Sequence, residues 1–415
     1  MTSELITDIG ELRTLDPREA PRDASGAAKG DAAAAAVVRH DQALVVEDGR
    51  LVWIGARTDA PDADVRTSVG GRTVLPGWVD PHTHLVFAGD RSTEFVDRMA
   101  GRPYAAGGIM TTVRATRAAS ESDLLVGARA IVDGAAAQGT TTIEAKTGYG
   151  LDVATEERLA RIAARVADVV TYLGAHVVPD GADRDAYLDL VTGPMLDAVA
   201  PHAQFVDVFC EAGAFTPDES REVLLAGRRA GLGLRVHGNQ LGESGGVALA
   251  VELGAASVDH CNHLSDADVA ALAGSSTIAT LLPACDLSTR APFAPARRLV
   301  DAGVRIALAS NCNPGTSFTS SMQFQVATAV LQQHLTLEEA LAAATLGGAA
   351  ALGLDSGDDA VGSLRIGGPA DLQVLDAPTA AHIAYRPGMP LTVATWRRGV
   401  RVPAPVSPVR SGSGR

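Results

Sequence analysis

His82 and His84 lie two residues apart, directly after a strand-like apolar run that contains Pro-Gly. On an extended chain, side chains two residues apart point to the same side. Neutral imidazole is a favoured ligand of zinc and iron(II), and a catalytic metal site needs three or four protein ligands plus a water. The pair therefore predicts part of a metal site, provided that other segments supply the remaining ligands.

Other polar side chains stand at the ends of further strand-like runs. His176, His237, His260 and Asn311 each fall at or near such an end. Amphipathic stretches with apolar residues three and four apart separate most of the runs and predict helices. The runs that we interpret as strands cover residues 73–80, 140–146, 169–178, 204–210, 233–239, 256–261, 276–284 and 304–311.

Eight strand–helix units predict a (β/α)8 barrel of the α/β class, of the TIM-like type. The carboxyl ends of the strands in such a barrel surround one pocket. Five histidines at these ends favour metal binding over the structural role that each histidine would have alone. His263 is interpreted as a loop residue, for which a supporting role beside the ligands is an alternative. The remaining histidines are interpreted as surface or structural residues, namely His40, His202, His334 and His382.

Short β-rich segments flank the predicted barrel on both sides. Residues 43–55 predict a hairpin with a tight Glu-Asp-Gly turn, and residues 27–36 before it are expected to be a flexible loop. After a helical stretch over 335–354, residues 362–376 and 391–402 predict strands again. These returning strands are free to pair with the N-terminal ones.

We therefore expect residues 1–75 and 356–405 to form one composite β-sandwich domain. The (β/α)8 barrel at 76–355 is then an insertion within that domain. The last residues, 406–415, are rich in Pro, Ser and Gly and are expected to be a disordered tail.

Composition restricts the class of partner. The 415-residue chain carries a net charge of −14 and shows no compensating cluster of Lys and Arg, which argues against nucleic acid and anionic membranes as partners. No signal-peptide pattern or membrane-spanning apolar run is present, so we expect a cytoplasmic protein with a small-molecule substrate. Four cysteines without Cys-x-x-Cys spacing are expected to be buried free thiols, namely Cys210, Cys261, Cys285 and Cys312.

Several motifs together resemble the metal-dependent amidohydrolase superfamily. The segment PGWVDPHTH is typical of that superfamily as a whole, and the motifs at 84–91 (HLVFAGDR), 146–151 (KTGYGL), 173–176 (LGAH) and 313–315 (NPG) are more specific. They resemble the branch that hydrolyses 4-imidazolone-5-propanoate to N-formimino-L-glutamate in histidine degradation. The resemblance covers nearly the whole chain.

The resemblance implies roles for individual residues. One divalent ion, zinc or iron, is expected on His82, His84 and His237 together with the residue at 311, and His260 is expected to hold or polarise the attacking water. The resemblance also implies a homodimer. The expected substrate contacts are Arg91, Tyr149, His176, Gln240, Asn313, Gly315 and Thr316. The planar guanidinium of Arg91 suits the propanoate carboxylate of such a substrate.

The chain departs from the pattern at two residues that would move protons. The resemblance implies an aspartate at 311 as metal ligand and proton acceptor, but Asn311 carries no charge and is not a base at neutral pH. Gln240 stands where many relatives have glutamate. Three explanations for Asn311 remain open: an engineered substitution, a natural substitution that lowers activity, or a natural substitution compensated by His260 as base. Because the chain retains Arg91, Tyr149 and His176, we favour a recent or deliberate change.

Two other classes of function remain as alternatives. One is a different cyclic amidohydrolase or deaminase of the superfamily. A deaminase is expected to need a glutamate after His237 and an aspartate at 311, and this chain has neither. The other is a metal- and ligand-binding protein built on an inactive barrel. A substrate panel with imidazolone propionate, cytosine, guanine and hydantoins distinguishes the first alternative. Calorimetry that shows tight substrate binding without product, in metal-loaded protein, would support the second.

Overall fold

The computed structural model describes residues 2–21, 30–101 and 108–403. The predicted tail at 406–415 and the first part of the predicted loop at 27–36 lie outside the described residues. Within these ranges, no helix is long and apolar enough to cross a membrane.

The strands and helices alternate through most of the chain. The strands are β1 (Glu4–Ile9), β2 (Glu11–Leu12), β3 (Gln42–Glu47), β4 (Arg50–Ala56), β5 (Val65–Ser68), β6 (Thr73–Pro76), β7 (Trp78–Asp80), β8 (Thr140–Lys146), β9 (Val169–Ala175), β10 (Phe205–Cys210), β11 (Gly233–Gly238), β12 (Ser257–His260), β13 (Ile278–Leu281), β14 (Ile306–Leu308), β15 (Leu372–Leu375), β16 (Thr392–Arg397) and β17 (Val400–Arg401). The helices are α1 (Asp31–Ala35), α2 (Ser92–Met99), α3 (Ile109–Ala118), α4 (Glu121–Ala137), α5 (Val153–Ala163), α6 (Arg184–Thr192), α7 (Pro194–Val199), α8 (Pro217–Arg229), α9 (Gly246–Glu252), α10 (Asp266–Ala273), α11 (Pro283–Thr289), α12 (Ala296–Asp301), α13 (Met322–Gln332), α14 (Leu337–Ala342), α15 (Gly348–Ala351) and α16 (His382–Tyr385).

The central sheet is a parallel barrel of the eight strands β7 to β14 in consecutive order. Every residue of β8 and β9 is buried, because helices cover one face of the sheet and the barrel interior covers the other. Asn311 joins the last strand to the first: its N–H donates to the carbonyl of His82 at 3.0 Å, and its carbonyl accepts from the N–H of His84 at 3.1 Å. The predicted (β/α)8 barrel is confirmed.

Segments from both ends of the chain build a β-sandwich beside the barrel. One sheet has the order β4-β3-β1-β5 and the other β17-β16-β15-β6-β2. The C-terminal β15 pairs antiparallel with the N-terminal β6, with Val374 opposite Val74. The two sheets share a buried core that includes Ile6, Leu44 and Trp396. The sandwich predicted from the two chain ends is present.

Local sequence explains several element boundaries. The hairpin of β3 and β4 turns at Asp48 and Gly49, whose positive φ angles of 50° and 79° are those of the predicted tight turn. Helix α8 begins after Thr216, which forms a capping box with Glu219 and is followed by Pro217 at the first helical position.

Some predicted strand boundaries are wrong. The strand predicted over 276–284 is β13 and ends at Leu281, because Pro283 begins α11. The strand predicted over 304–311 is only Ile306–Leu308, and the chain beyond it forms the closing contact with the first strand instead.

Two further segments differ from the prediction. The expected loop at 27–36 contains helix α1. The single helix expected over 335–354 consists of α14, a π-helical turn at Ala343–Gly347, and α15. In this wide turn Gly347 lies directly under the barrel, where an added Cβ would stand 2.1 Å from the carbonyl oxygen of Ile306. Close backbone packing therefore replaces the regular helix that the periodicity predicts.

Candidate active site

Three histidine side chains meet at the carboxyl end of the barrel. His82 and His84 lie in the loop after β7, and His237 lies in β11. The Nε2 atom of His84 is 3.2 Å from that of His82 and 3.4 Å from that of His237. All three residues are buried, and their ligand atoms lie within 4.8 Å of one another.

Carboxylates behind two of these rings determine which nitrogen faces the centre. His82 Nδ1 is 2.7 Å from Asp259, and His237 Nδ1 is 3.0 Å from Asp207. A proton on each Nδ1 is therefore stabilised, which leaves the Nε2 lone pairs directed at each other. Burial, and after it the neighbouring positive charges, hold the pKa of His82 and His84 well below the ordinary value, so these rings are neutral.

Converging lone pairs on neutral rings repel one another unless a cation lies between them. The three imidazole nitrogens are a donor set that fits one divalent ion of the zinc or iron class. The carboxylates behind the His82 and His237 rings are the usual support of metal-bound histidines. The residues present therefore fit a metal site.

Asn311 lies beside this triad and lines the same pocket. Its side chain is 1% exposed, and its Nδ2 donates to Thr316 Oγ1 at 2.8 Å. Among the described residues its Oδ1 has no hydrogen-bond partner. The φ of 68° is a conformation that asparagine and aspartate adopt more readily than other residues. Position 311 therefore presents an amide oxygen to the site where an aspartate would present a carboxylate.

His260 and His176 complete a ring of imidazoles around the centre. The His260 ring lies 5.4 Å from that of His237, and burial lowers the pKa of His260 to about 3. The His176 ring stacks on His84 at 5.5 Å, and its Nδ1 is 2.9 Å from the carbonyl of Gly148. Burial and the nearby His237 lower the pKa of His176 to about 4, so its Nε2 is an acceptor at neutral pH.

A pocket of about 110 Å³ opens above the triad. Its size suits a small molecule. Most of the predicted substrate contacts lie around it, and the predicted site residues in its wall are His84, His176, His237, Gln240, His260, Asn311, Asn313 and Thr316.

Arg91 and Gly315 lie in an adjoining cleft on the far side of Thr316, which lines both spaces. Glu94 accepts from Nε and Nη2 of Arg91 at 2.8 and 2.6 Å and thus fixes the plane of the guanidinium. An added Cβ on Gly315 would lie 2.1 Å from Arg91 Nη1, so only glycine permits this close approach. The sequence did not indicate that the two residues are direct neighbours.

Tyr149 lies beside His84, with the two ring centroids 6.1 Å apart. Its ring lies 5.6 Å from that of His176 and 6.2 Å from that of Phe87, and the side chain is buried. The loop after β8 thus places it beside the triad, and its expected contact with the substrate stays a prediction. Phe87 in turn lines the cleft that contains Arg91.

Below the triad lies a group of buried charges that the sequence reasoning missed. Lys146 Nζ is 3.0 Å from Glu144, 2.9 Å from Asp207 and 3.7 Å from Asp259, and none of the four side chains is exposed to solvent. We call these four residues the Lys146 network. Arg235 adds a second buried cation at 3.2 Å from Asp259. The available signal was the occurrence of charged residues inside otherwise apolar strands.

The other histidines and the cysteines lie outside the triad. His40 and His334 are exposed. His263 is in the loop after β12, where its N–H donates to the carbonyl of Asn239 at 2.9 Å. His202 and His382 are half-buried. All four cysteines are buried free thiols, as the sequence predicted, namely Cys210, Cys261, Cys285 and Cys312.

Known proteins resemble this chain over nearly its full length. A model of the amidohydrolase family matches residues 73–402. The imidazolonepropionase of Saccharopolyspora erythraea is 62% identical over 402 residues, which cover 97% of this chain and 99% of the relative. The imidazolonepropionase of Paenarthrobacter aurescens is 59% identical over 418 residues, with 96% and 98% covered.

Solved structures with lower identity share the fold. An adenosine deaminase from Xanthomonas campestris with bound zinc has a TM-score of 0.68 at 18% identity, covering 96% of this chain and 92% of that one. A guanine deaminase from C. acetobutylicum with bound guanine also has a TM-score of 0.68, at 13% identity, covering 96% and 99%. The family match and the full-length relatives together decide the classification: the chain belongs to the amidohydrolase family and, within it, to the imidazolonepropionases.

Proposed function

We propose that the chain hydrolyses 4-imidazolone-5-propanoate to N-formimino-L-glutamate. The oxygen of one water bonds to the ring carbonyl carbon, and the bond from that carbon to the ring nitrogen breaks. The freed nitrogen takes a proton and becomes part of the formimino group, while the former carbonyl becomes a carboxylate. One water is consumed, and no oxidant or reductant is needed.

The metal in this proposal is one divalent ion, zinc or iron(II), on His82, His84 and His237. Three imidazoles with an oxygen ligand accommodate either ion. When bound, such an ion polarises the ring carbonyl and lowers the pKa of a water toward neutrality. The supporting observation is the convergence of three imidazole Nε2 atoms, two of which, those of His82 and His237, are turned inward by a carboxylate behind the ring.

The pocket residues provide the means to orient the substrate ring. His176, with its Nδ1–H directed at the Gly148 carbonyl, offers Nε2 as an acceptor to a ring N–H. Asn313 holds the backbone of its own loop, because its Oδ1 accepts from Gly315 N–H at 2.8 Å. Gln240 lines the opposite wall, in the turn held by a hydrogen bond from its N–H to Glu211.

Arg91 is proposed to bind the propanoate carboxylate. Glu94 and the flat surface of Gly315 fix the guanidinium in one plane, so little side-chain entropy remains to be lost when the carboxylate binds. The cleft beside Thr316 leads from the triad to this cation, and a substrate with a ring and a short acidic chain would span the two spaces. Tyr149 would pack along that path.

Asn311 is proposed to slow the reaction without abolishing substrate binding. An amide oxygen can coordinate an ion but accepts no proton at neutral pH. The proton of the attacking water must then pass to another group, for which His260 is the candidate. Burial lowers the pKa of His260 to about 3, so it is a weak base, in keeping with a slowed reaction.

The single observation that carries the proposal is the convergence of three Nε2 atoms on the floor of a pocket lined by His176, Asn313 and Thr316. The test is incubation of the metal-loaded protein with imidazolone propionate, cytosine, guanine and hydantoin, with mass spectrometry of the products. We expect formimino-glutamate from the first compound and no product from the others. Turnover of cytosine or guanine instead would overturn the proposal.

The proposal includes a homodimer located in the cytoplasm. Analytical ultracentrifugation at micromolar concentration tests the first part, with a dimer mass expected and a monomer mass as the contrary result. Cell fractionation tests the second.

A further inference from the structure

Lysine is rare in this chain, and one of its lysines is fully buried. The sequence contains two lysines and 33 arginines. Lys146 ends β8 with no solvent-exposed surface, although a buried ammonium is costly unless carboxylates surround it. Almost every other cationic side chain of this sequence is an arginine. A lysine at position 146 therefore indicates that the geometry there requires a compact ammonium rather than a planar guanidinium.

Each carboxylate around Lys146 supports a different part of the histidine triad. Asp259 holds Nδ1 of His82 at 2.7 Å, and Asp207 lies 3.0 Å from Nδ1 of His237. Glu144 accepts from the N–H of Thr83 at 2.9 Å, and Thr83 is the residue between His82 and His84. A second bond, from the hydroxyl of Thr83 to the carbonyl of Glu144, fixes the same segment.

The ammonium also keeps these carboxylates together. Without it, three anions would lie within a few ångströms of one another in a region of low dielectric constant, where like charges repel strongly. Burial alone would lower the pKa of Lys146, but Asp207 and Glu144 outweigh that effect and raise it. With Arg235 included, two cations face the three carboxylates of this layer.

We infer that Lys146 is a positioning residue that holds the supports of all three ligand histidines at fixed mutual distances. Asp259, Asp207 and Glu144 each act on one part of the triad, and Lys146 connects the three. The inference rests on the proposed function, because it assumes one metal ion between His82, His84 and His237. It assigns Lys146 no contact with the ion or the substrate.

The first test is the zinc affinity of wild type and Lys146→Met, measured by competition with a chromogenic chelator. Loss of a residue that supports ligands typically weakens metal binding by about ten- to hundredfold, and we expect a Kd raised by that factor. Arg13→Met is the matched control, because it removes a buried cation from an ion pair with Glu11 at 2.9 Å in the sandwich. The control should bind zinc as wild type does.

The second readout is the absorption spectrum of the cobalt(II)-substituted protein, which reports ligand geometry. We expect the bands of Lys146→Met to shift and those of Arg13→Met to coincide with wild type. A purely structural role for Lys146 would lower thermal stability and leave the spectrum of the folded protein unchanged.

Coupling is tested by combining Lys146→Met with Asp207→Asn. If Lys146 acts through Asp207, the double variant loses less affinity than the product of the two single losses. Multiplicative losses would show that Lys146 acts by another route and would overturn the inference. If Lys146→Met does not fold, Glu144→Gln tests the same connection; a zinc Kd equal to that of wild type would then refute it.

The outcomes separate this inference from the proposed function. If wild type itself binds no zinc or iron(II), the metal site and the proposed function fail. If wild type and Lys146→Met bind zinc with the same Kd and give the same cobalt spectrum, the role of Lys146 alone is refuted.

Discussion

Replacement of Asn311 by aspartate should raise the rate of ring opening. Asn311 is buried beside the triad, with its Nδ2 on Thr316 and its Oδ1 without a partner among the described residues. Aspartate has the same shape and accepts the same left-handed backbone conformation. The variant replaces the Nδ2 donor by an acceptor oxygen, to which the Thr316 hydroxyl donates instead. It adds a negative charge and a proton acceptor while the surrounding packing stays as it is.

The expected magnitude follows from what the amide lacks. A positioned acid–base group contributes about 10²- to 10⁴-fold to a rate, which corresponds to about 2.7–5.5 kcal/mol of barrier. We expect Asn311→Asp to raise kcat at least about hundredfold. KM should change little, because Arg91 and His176 are unaltered. The added carboxylate should also tighten metal binding.

The assay compares initial rates of imidazolone loss for metal-loaded wild type and Asn311→Asp, with metal content determined on the same samples. Asn311→Ala is the control for shape; it should be no faster than wild type. Equal kcat values for wild type and Asn311→Asp at equal metal occupancy would refute the reasoning. The proton would then be taken by a group other than residue 311.

Two other substitutions test the Arg91 cleft and the cap of α8. Gly315→Ala places a Cβ against the Arg91 guanidinium and should displace it from the substrate carboxylate. Loss of this charge-assisted contact, worth about 1.5–3 kcal/mol, should raise KM about tenfold or more while kcat falls less. An unchanged KM in steady-state kinetics would contradict the placement of Arg91. Glu219→Gln should lower the free energy of unfolding at pH 7 by about 1 kcal/mol, since Glu219 caps α8 and pairs with Arg184. The hydrogen bond from Arg184 lowers the pKa of Glu219 from 4.5 to about 2, so the difference from wild type should be complete above pH 4.5 and shrink as the pH falls toward 2. Urea unfolding at several pH values measures it, with the exposed Glu222→Gln as control; a difference independent of pH would count against the pairing.

The barrel and the triad were predictable because their signals are local. Each strand is a short apolar run, and His82, His84 and His237 stand at run ends, where parallel strands bring side chains to one rim. The sandwich followed from β-rich segments at both chain ends. These features need only the order of elements along the chain.

The Lys146 network was not predictable in the same way. Glu144, Lys146, Asp207 and Asp259 lie in three different strands, and only the barrel order brings their side chains together. A charged residue inside an apolar strand is a visible signal, but its partner is not. The same holds for the cleft of Arg91, where proximity to Gly315 depends on how two loops meet.

The wrong boundaries also have a non-local cause. Residues 343–348 have the apolar periodicity of a helix, yet contact with the underside of β7 and β14 produces a π-helical turn. Asn311 was expected to end a strand, whereas its backbone closes the barrel through hydrogen bonds to His82 and His84. Tertiary packing overrides local pattern in both cases.

The most direct test of the central claim is the metal dependence of ring opening by the wild-type chain. The rate of imidazolone propionate loss is measured before chelation, after chelation, and after return of one equivalent of zinc or iron(II). We expect chelation to abolish the rate and one equivalent per chain to restore it. A rate that chelation leaves unchanged, or no formimino-glutamate from fully loaded protein, would contradict the proposed metal-dependent hydrolysis.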